Sequence, residues 1–185
     1  MTPTRVLAER QVAGAQEVRN AIELLLEPIS SQVSEGNTCI VGIQTGGVHV
    51  ANRLLSRLHQ RGIPRPPVGI LDITLYRDDI FIGRQQPIVR QTDIPFELSG
   101  KNVILVDDVL FTGRTIRAAL DALVDFGRPA SIRLAVLVDR GLREYPIQAD
   151  WVGMKIPTVI QETVRVELVE MGLSDDRVVV YTREA

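Results

Sequence analysis

The segment from Val103 to Thr115 constrains this chain more than any other. Val103, Ile104, Leu105 and Val106 run without a break into two adjacent carboxylates, Asp107 and Asp108. Val109, Leu110 and Phe111 follow, then Thr112-Gly113-Arg114-Thr115, then Ile116, Ala119, Leu120 and Leu123 at helical spacing. A short apolar run bounded by turn residues reads as a buried strand, and the spacing after it as a helix. The chemistry is therefore packed into a strand-to-helix turn. Backbone N–H groups and hydroxyls at a helix start suit a phosphate. Paired carboxylates suit sugar hydroxyls or a hydrated Mg²⁺. A ribose phosphate is the simplest ligand that wants both.

The rest of the chain repeats this alternation. Ala15, Val18, Ile22 and Leu25 predict an amphipathic helix over residues 9–26, which Pro28 ends or bends. Residues 38–43 read as a strand, 44–47 as a turn and 48–58 as a helix carrying Val50, Leu54 and Leu58. Residues 68–76 read as a strand, and the polar stretch 77–92 as a long hairpin flap, since long loops in compact domains are usually functional or disordered. A helix over 113–126 and strands over 132–138, 151–155, 164–169 and 177–182 complete the pattern. Alternating strands and helices predict an α/β fold, a mostly parallel sheet with helices on both faces. Ligands of such sheets bind beyond the carboxyl ends of the strands. Three polar turns fall there, at 44–47, 107–115 and 139–141.

A length of 185 residues suits one domain with a real core. Net charge is −2, from 21 basic and 23 acidic residues, which disfavours a whole-protein polyanion binder but not a local basic patch. No apolar run approaches the roughly 18 residues that span a bilayer. The first residues show no signal-peptide pattern, and the single cysteine, Cys39, cannot build a disulfide framework, so a cytoplasmic protein is expected.

Each constellation has a plain reading as well. Thr112 or Thr115 could simply cap the helix, but two adjacent carboxylates repel and have little structural use. Thr45-Gly46-Gly47 could be a tight turn that needs positive φ, or a diphosphate site at a helix start. The charges of the flap, Arg77, Asp78, Asp79, Arg84 and Arg90, could be a solvated hairpin, or a lid whose arginines grip phosphate. Arg77 and Arg90 are favoured over Arg84 because they flank the strand ends. Neither G-x-G-x-x-G nor G-x-x-x-x-G-K-[ST] is present, which disfavours a dinucleotide-binding dehydrogenase and a P-loop NTPase.

The segment 103–115 resembles the diphosphoribosyl-binding motif of type I phosphoribosyltransferases. The runs Leu71-Asp72-Ile73-Thr74-Leu75-Tyr76-Arg77-Asp78-Asp79, Thr92-Asp93-Ile94-Pro95-Phe96 and Leu134 to Gly141, with Asp121 to Pro129 between, resemble the bacterial pyrimidine-operon attenuation regulators. The resemblance covers nearly the whole chain. It implies a single domain, 1–185, with the flap at about 77–92 and a small hood from about 141–168 against the N-terminal helix. It implies transfer of phosphoribose from 5-phosphoribosyl-1-diphosphate to uracil, giving UMP and diphosphate. Asp107 and Asp108 would hold the ribose, with Mg²⁺ nearby, and Val109 to Thr115 the phosphate. Thr45, Gly46, Gly47 and Arg77 would contact diphosphate, Arg90 would assist catalysis, and Phe111, Arg140 and Val164 would surround the base. Related 6-oxopurine enzymes carry Asp where this chain has Phe111, which cannot accept a proton, so a pyrimidine fits better.

The resemblance also implies UMP-dependent binding of pyrimidine-operon leader mRNA by a dimer or larger homo-oligomer. RNA-contact candidates are Arg10 and Arg19, together with Arg53, Arg57 and Arg61, a basic helical stripe whose plain reading is a solvated face. Glu17, Glu23 and Glu27 on the first helix would repel RNA phosphates. Many resembling proteins also carry arginine where this chain has Gly46. The alternative is a phosphoribosyltransferase without an RNA role, or one for another base.

Overall fold

The computed structural model describes residues 6–76 and 91–183. Its main sheet has five parallel strands in the order β3-β2-β4-β5-β6: β2 (Thr38–Ile43), β3 (Val68–Leu71), β4 (Asn102–Leu110), β5 (Ser131–Asp139) and β6 (Trp151–Lys155). Alternation along the central strands feeds two cores. Ile40, Ile104, Val106, Ala135 and Leu137 face α1 (Ala15–Ser34) and α2 (Gly46–Gln60). Cys39, Val41, Val103, Leu105, Leu134 and Val136 face α3 (Arg114–Val124) on the other side. With both faces covered, a parallel sheet needs apolar residues at nearly every position, which is what residues 103–106 supply. Burial also pushes the Cys39 thiol up to about 11, so it stays a protonated apolar filler.

A second sheet, three antiparallel strands in the order β1-β8-β7, joins the two ends of the chain: β1 (Val6–Ala13), β7 (Glu162–Glu167) and β8 (Arg177–Arg183). Val164, Val166, Val178 and Val180 share a core with α1 and α2, so this sheet rests on the helices of one face.

Two expectations for the N-terminal region need correction. Residues 9–13 are strand, not helix, because β8 supplies a partner that local spacing cannot reveal. Helix α1 starts instead at Ala15, where the Gly14 N–H donates to the Glu17 carboxylate at 2.9 Å. Nor does Pro28 end it; the helix runs to Ser34. Burial of Leu25, Leu26, Ile29 and Val33 on either side of the proline outweighs the lost backbone hydrogen bond. The apolar face of α1 is thus used inside the chain. The expected strand over 68–76 also stops at Leu71, and residues 74–76 form a 3₁₀ turn.

Candidate active site

Register brings the three polar turns together. Gly42 of β2 pairs with Val106 of β4, and Leu110 of β4 pairs with Asp139 of β5. The carboxyl ends of β2, β4 and β5 therefore lie side by side, with 44–47, 111–113 and 140–141 leaving from them. The expected Arg77 and Arg90, with Arg84, lie outside the described residues.

Strand β4 runs on past the two carboxylates to Leu110, so Val109 and Leu110 are paired strand residues and not loop, and Leu110 points into the core. Asp107 is only 5% exposed, and one of its oxygens accepts the Asp108 N–H at 3.0 Å. Burial pushes the Asp108 carboxyl above its usual range, against the opposing effect of hydrogen bonds from Asp107 and nearby backbone. Phe111 to Gly113 then form the loop proper. Gly113 is the cap residue of α3, in the left-handed region at φ +92°, while Thr112 Oγ1 accepts the Arg114 N–H at 3.4 Å, as the plain reading of that threonine expected. No side-chain oxygen of the cap residue occupies the first amides of α3, and the same is true of α2, capped by Thr45. Two helix N-termini thus flank Asp107 and Asp108, which suits two separate phosphate groups on one ribose.

Gly46 and Gly47 do not have positive φ, contrary to the plain reading of that turn. They are needed for closeness. A Cβ on Gly47 would fall 2.3 Å from the Val106 carbonyl oxygen, and one on Gly46 2.2 Å from the Asp108 carboxyl carbon. The peptide Gln44–Thr45 is cis.

On the opposite side, the Arg140 guanidinium lies 3.9 Å from the centre of the Phe111 ring. Arg140 is 4% exposed; its Nε donates to Thr158 Oγ1 at 2.9 Å and its Nη2 to the Val159 carbonyl at 3.1 Å. Burial lowers its pKa, although Glu162 works against that. Arg143, which sequence reading missed, donates to the Phe111 carbonyl at 2.8 Å and pairs with Asp139 at 2.7 Å. The Asp139-x-x-x-Arg143 spacing was its only signal. Thr112 is fixed likewise: its carbonyl accepts the Glu144 and Tyr145 N–H groups, both at 2.9 Å, and Arg114 pairs with Glu144 at 2.6 Å. Val164 stands apart from this group. Its side chain is buried in the core, and the segment that reaches Arg140 is 158–159.

The basic candidates are engaged within the chain. Arg57 pairs with Glu23 at 3.0 Å, and Arg61 with Glu23 at 2.9 Å and Glu27 at 3.1 Å. The acidic helix and the basic stripe therefore face each other. Arg53 is held more deeply, by Glu170 at 2.5 Å and Asp176 at 2.6 Å. Arg10 lies 3.8 Å from Glu162, and Arg19 donates to Gln16 at 2.8 Å.

Fold and site together define a protein that handles a phosphorylated ribose. The chain belongs to the phosphoribosyl transferase domain family, whose model matches residues 11–171, and within it to the PyrR proteins. Bifunctional protein PyrR of Roseiflexus sp. is 49% identical over 180 residues, covering 97% of this chain and 98% of that one. Bifunctional protein PyrR of Deinococcus radiodurans is 50% identical over 165 residues, 89% of this chain and 90% of that one. Among solved structures, the hypoxanthine phosphoribosyltransferase of Trypanosoma cruzi superposes with a TM-score of 0.70 at 20% identity, over 96% of this chain and 98% of that one, a likeness of fold.

Proposed function

We propose that this chain transfers phosphoribose from 5-phosphoribosyl-1-diphosphate to uracil, and that with UMP bound it regulates a pyrimidine operon through its leader mRNA. The carrying observation for the reaction is the acid pair between two helix N-termini on neighbouring strands. Thr45, Gly46 and Gly47 take the diphosphate and Thr112 to Thr115 the 5-phosphate. Asp107 and Asp108 hold the ribose hydroxyls and offset the positive charge that develops at the anomeric carbon. Uracil N1 bonds to that carbon as the bond to diphosphate breaks, and the N1 proton passes to the departing diphosphate or to water. Phe111 cannot take that proton, so positioning and electrostatics carry the rate. From the sequence, Arg77 and Arg90 are assigned to the diphosphate.

Mg²⁺ takes one or two carboxylates, keeps several waters and binds substrate phosphates. Among the described residues no group of three or more His, Cys, Asp or Glu could form a metal cage. Asp107 and Asp108 are a donor set that fits a water-mediated ion. Bound there, Mg²⁺ would supply charge against the leaving diphosphate.

The base side supports a pyrimidine. Phe111, whose ring is backed by Arg140, takes the position in the motif at which the resembling 6-oxopurine enzymes carry Asp. We assign the whole chain to one domain, with the small sheet and the parts of 141–168 on either side of β6 as its hood; β6 itself belongs to the main sheet. No helix among the described residues is long and apolar enough to cross a membrane. For RNA, Arg10, Arg19, Arg53, Arg57 and Arg61 remain the assignment. The half-exposed pairs of Arg57 and Arg61 are worth only about 0–1 kcal/mol each, so RNA phosphates can compete for them.

Turnover of uracil, hypoxanthine and guanine with 5-phosphoribosyl-1-diphosphate and Mg²⁺ tests the reaction. UMP formation alone is the expected result, and hypoxanthine turnover without uracil turnover overturns it. Filter binding to a pyrimidine-operon leader hairpin tests regulation; UMP is expected to tighten it. Sedimentation of the full chain tests for a dimer or larger homo-oligomer.

A further inference from the structure

Two successive carbonyls of the β4–α3 turn are drawn toward one neighbouring segment. Arg143 Nη1 donates to the Phe111 carbonyl at 2.8 Å. The Thr112 carbonyl accepts the Glu144 and Tyr145 N–H groups, both at 2.9 Å. All three donors belong to residues 143–145. The peptides that follow Phe111 and Thr112 are trans, and in a planar trans peptide the N–H points opposite to the C=O. The N–H groups of Thr112 and Gly113 therefore point together, away from 143–145. Among the described residues neither of them meets an acceptor. Successive N–H groups turned to one side form a concavity for an anion.

The Arg143 guanidinium is committed to this arrangement. Its side chain is 22% exposed, and Nη2 pairs with Asp139 at 2.7 Å. Nη1 also donates to the Gly141 carbonyl at 3.1 Å, and Nε to the Ile147 carbonyl at 3.0 Å. One planar group thus ties both ends of the 141–147 turn to Phe111 and sets the amides of Glu144 and Tyr145 against Thr112. Asp139 offsets its charge, so its effect on the loop is one of direction more than of field.

We propose that Arg143 is a positioning residue for the 5-phosphate: with residues 144–145 it draws back the Phe111 and Thr112 carbonyls, and so aims the Thr112 and Gly113 N–H groups into the phosphate site. The inference rests on the phosphate role proposed above for Thr112 to Thr115. Its consequence is specific. Arg143 adds affinity only for a ligand that carries the phosphate, because it acts through those two amides.

Equilibrium dialysis of the full chain against UMP and uridine isolates the phosphate, since the two ligands share base and ribose. Arg143→Met is expected to weaken UMP roughly tenfold, the scale of one misaligned hydrogen bond to a charged group, and to leave uridine unchanged. Asp139→Asn removes the ion pair but keeps the guanidinium on Phe111, so most of the preference for UMP over uridine should survive. Equal weakening of both ligands in Arg143→Met, no weakening of either, or an Asp139→Asn variant as impaired as Arg143→Met overturns the proposal. Amide hydrogen exchange of the free proteins is the ligand-free arm. The Glu144 and Tyr145 amides should exchange faster in Arg143→Met while the amides of β4 keep their protection; unchanged exchange at 144–145 overturns the bracing contact. If Arg143→Met fails to fold, Arg143→Lys decides. It keeps a charge beside Asp139 but not the planar fork, and should weaken UMP alone; parental affinity for both ligands overturns the proposal. A parent that binds no UMP would sink the proposed function instead, and the exchange arm would still decide the contact.

Discussion

In the β2–α2 turn, Gly46 and Gly47 keep ordinary backbone angles, and a Cβ on either would collide with β4. In the β4–α3 turn, Gly113 has φ +92° and a looser neighbour, Tyr145, whose Cβ would lie 3.1 Å from an added Cβ. Both are glycine turns at the start of a helix, and both face the same carboxylates. One is set by crowding and the other by backbone hand. The first is an approach of one chain segment to another, so it fails by displacement; the second is local, so it fails by strain.

That contrast can be pressed experimentally. The largest effect belongs to the acids that both turns serve: Asp107→Asn with Asp108→Asn should cost about 10²–10³-fold in kcat, the scale of losing preorganised charge in a closed site, with modest change in unfolding. Full rate in that variant would remove the acid pair from the mechanism. Next is Gly47→Ala, whose Cβ meets a backbone carbonyl at 2.3 Å that no rotamer can move. Overpacking of this kind costs about 3 kcal/mol, read as a lowered urea midpoint. Gly113→Ala should cost less, about 1–2 kcal/mol for the left-handed backbone; a larger loss than Gly47→Ala would reverse the comparison.

A pair outside both turns gives a pH control. Arg53 holds the Asp176 and Glu170 carboxyls below the usual carboxylate range, mainly through its hydrogen bonds. A lowered folded pKa gives stability that is present above the unfolded values, about 4, and lost as pH falls through the folded ones. Arg53→Ala should therefore flatten the acid limb of the stability–pH curve and lower the plateau above it. The smallest effect is expected from Arg114→Ala. Its pair with Glu144 is about half exposed and worth at most about 1 kcal/mol, so the β4–α3 turn should keep its shape and ligand affinity should change more than stability.

The main sheet was legible because its signals are local. Residues 38–43 and 151–155 matched β2 and β6 at both ends, and the continuous apolar run before Asp107 could only be a strand covered on two faces. What failed to show locally depends on distant partners. β1 looks helical until β8 is beside it. The stripe Arg53, Arg57, Arg61 looks like an open basic face until Glu23, Glu27, Glu170 and Asp176 are brought against it. At the site, the acids and both turns were readable from residue type and spacing. The reason for Gly46 was not, since a glycine gives no sign of whether it answers to its own φ or to a neighbour across the sheet. Arg143 was hidden likewise, because its role is to hold a carbonyl.

The pairing of β1 with β8 sets a schedule for making the protein. Residues 6–13 leave the ribosome well before their partner strand, which runs over Arg177–Arg183. The parallel sheet through β6 has all its strands by Lys155, some thirty residues earlier in synthesis. The nascent chain can thus hold Asp107 and Asp108 in place before the small sheet exists, while β1 waits for β8 to be made.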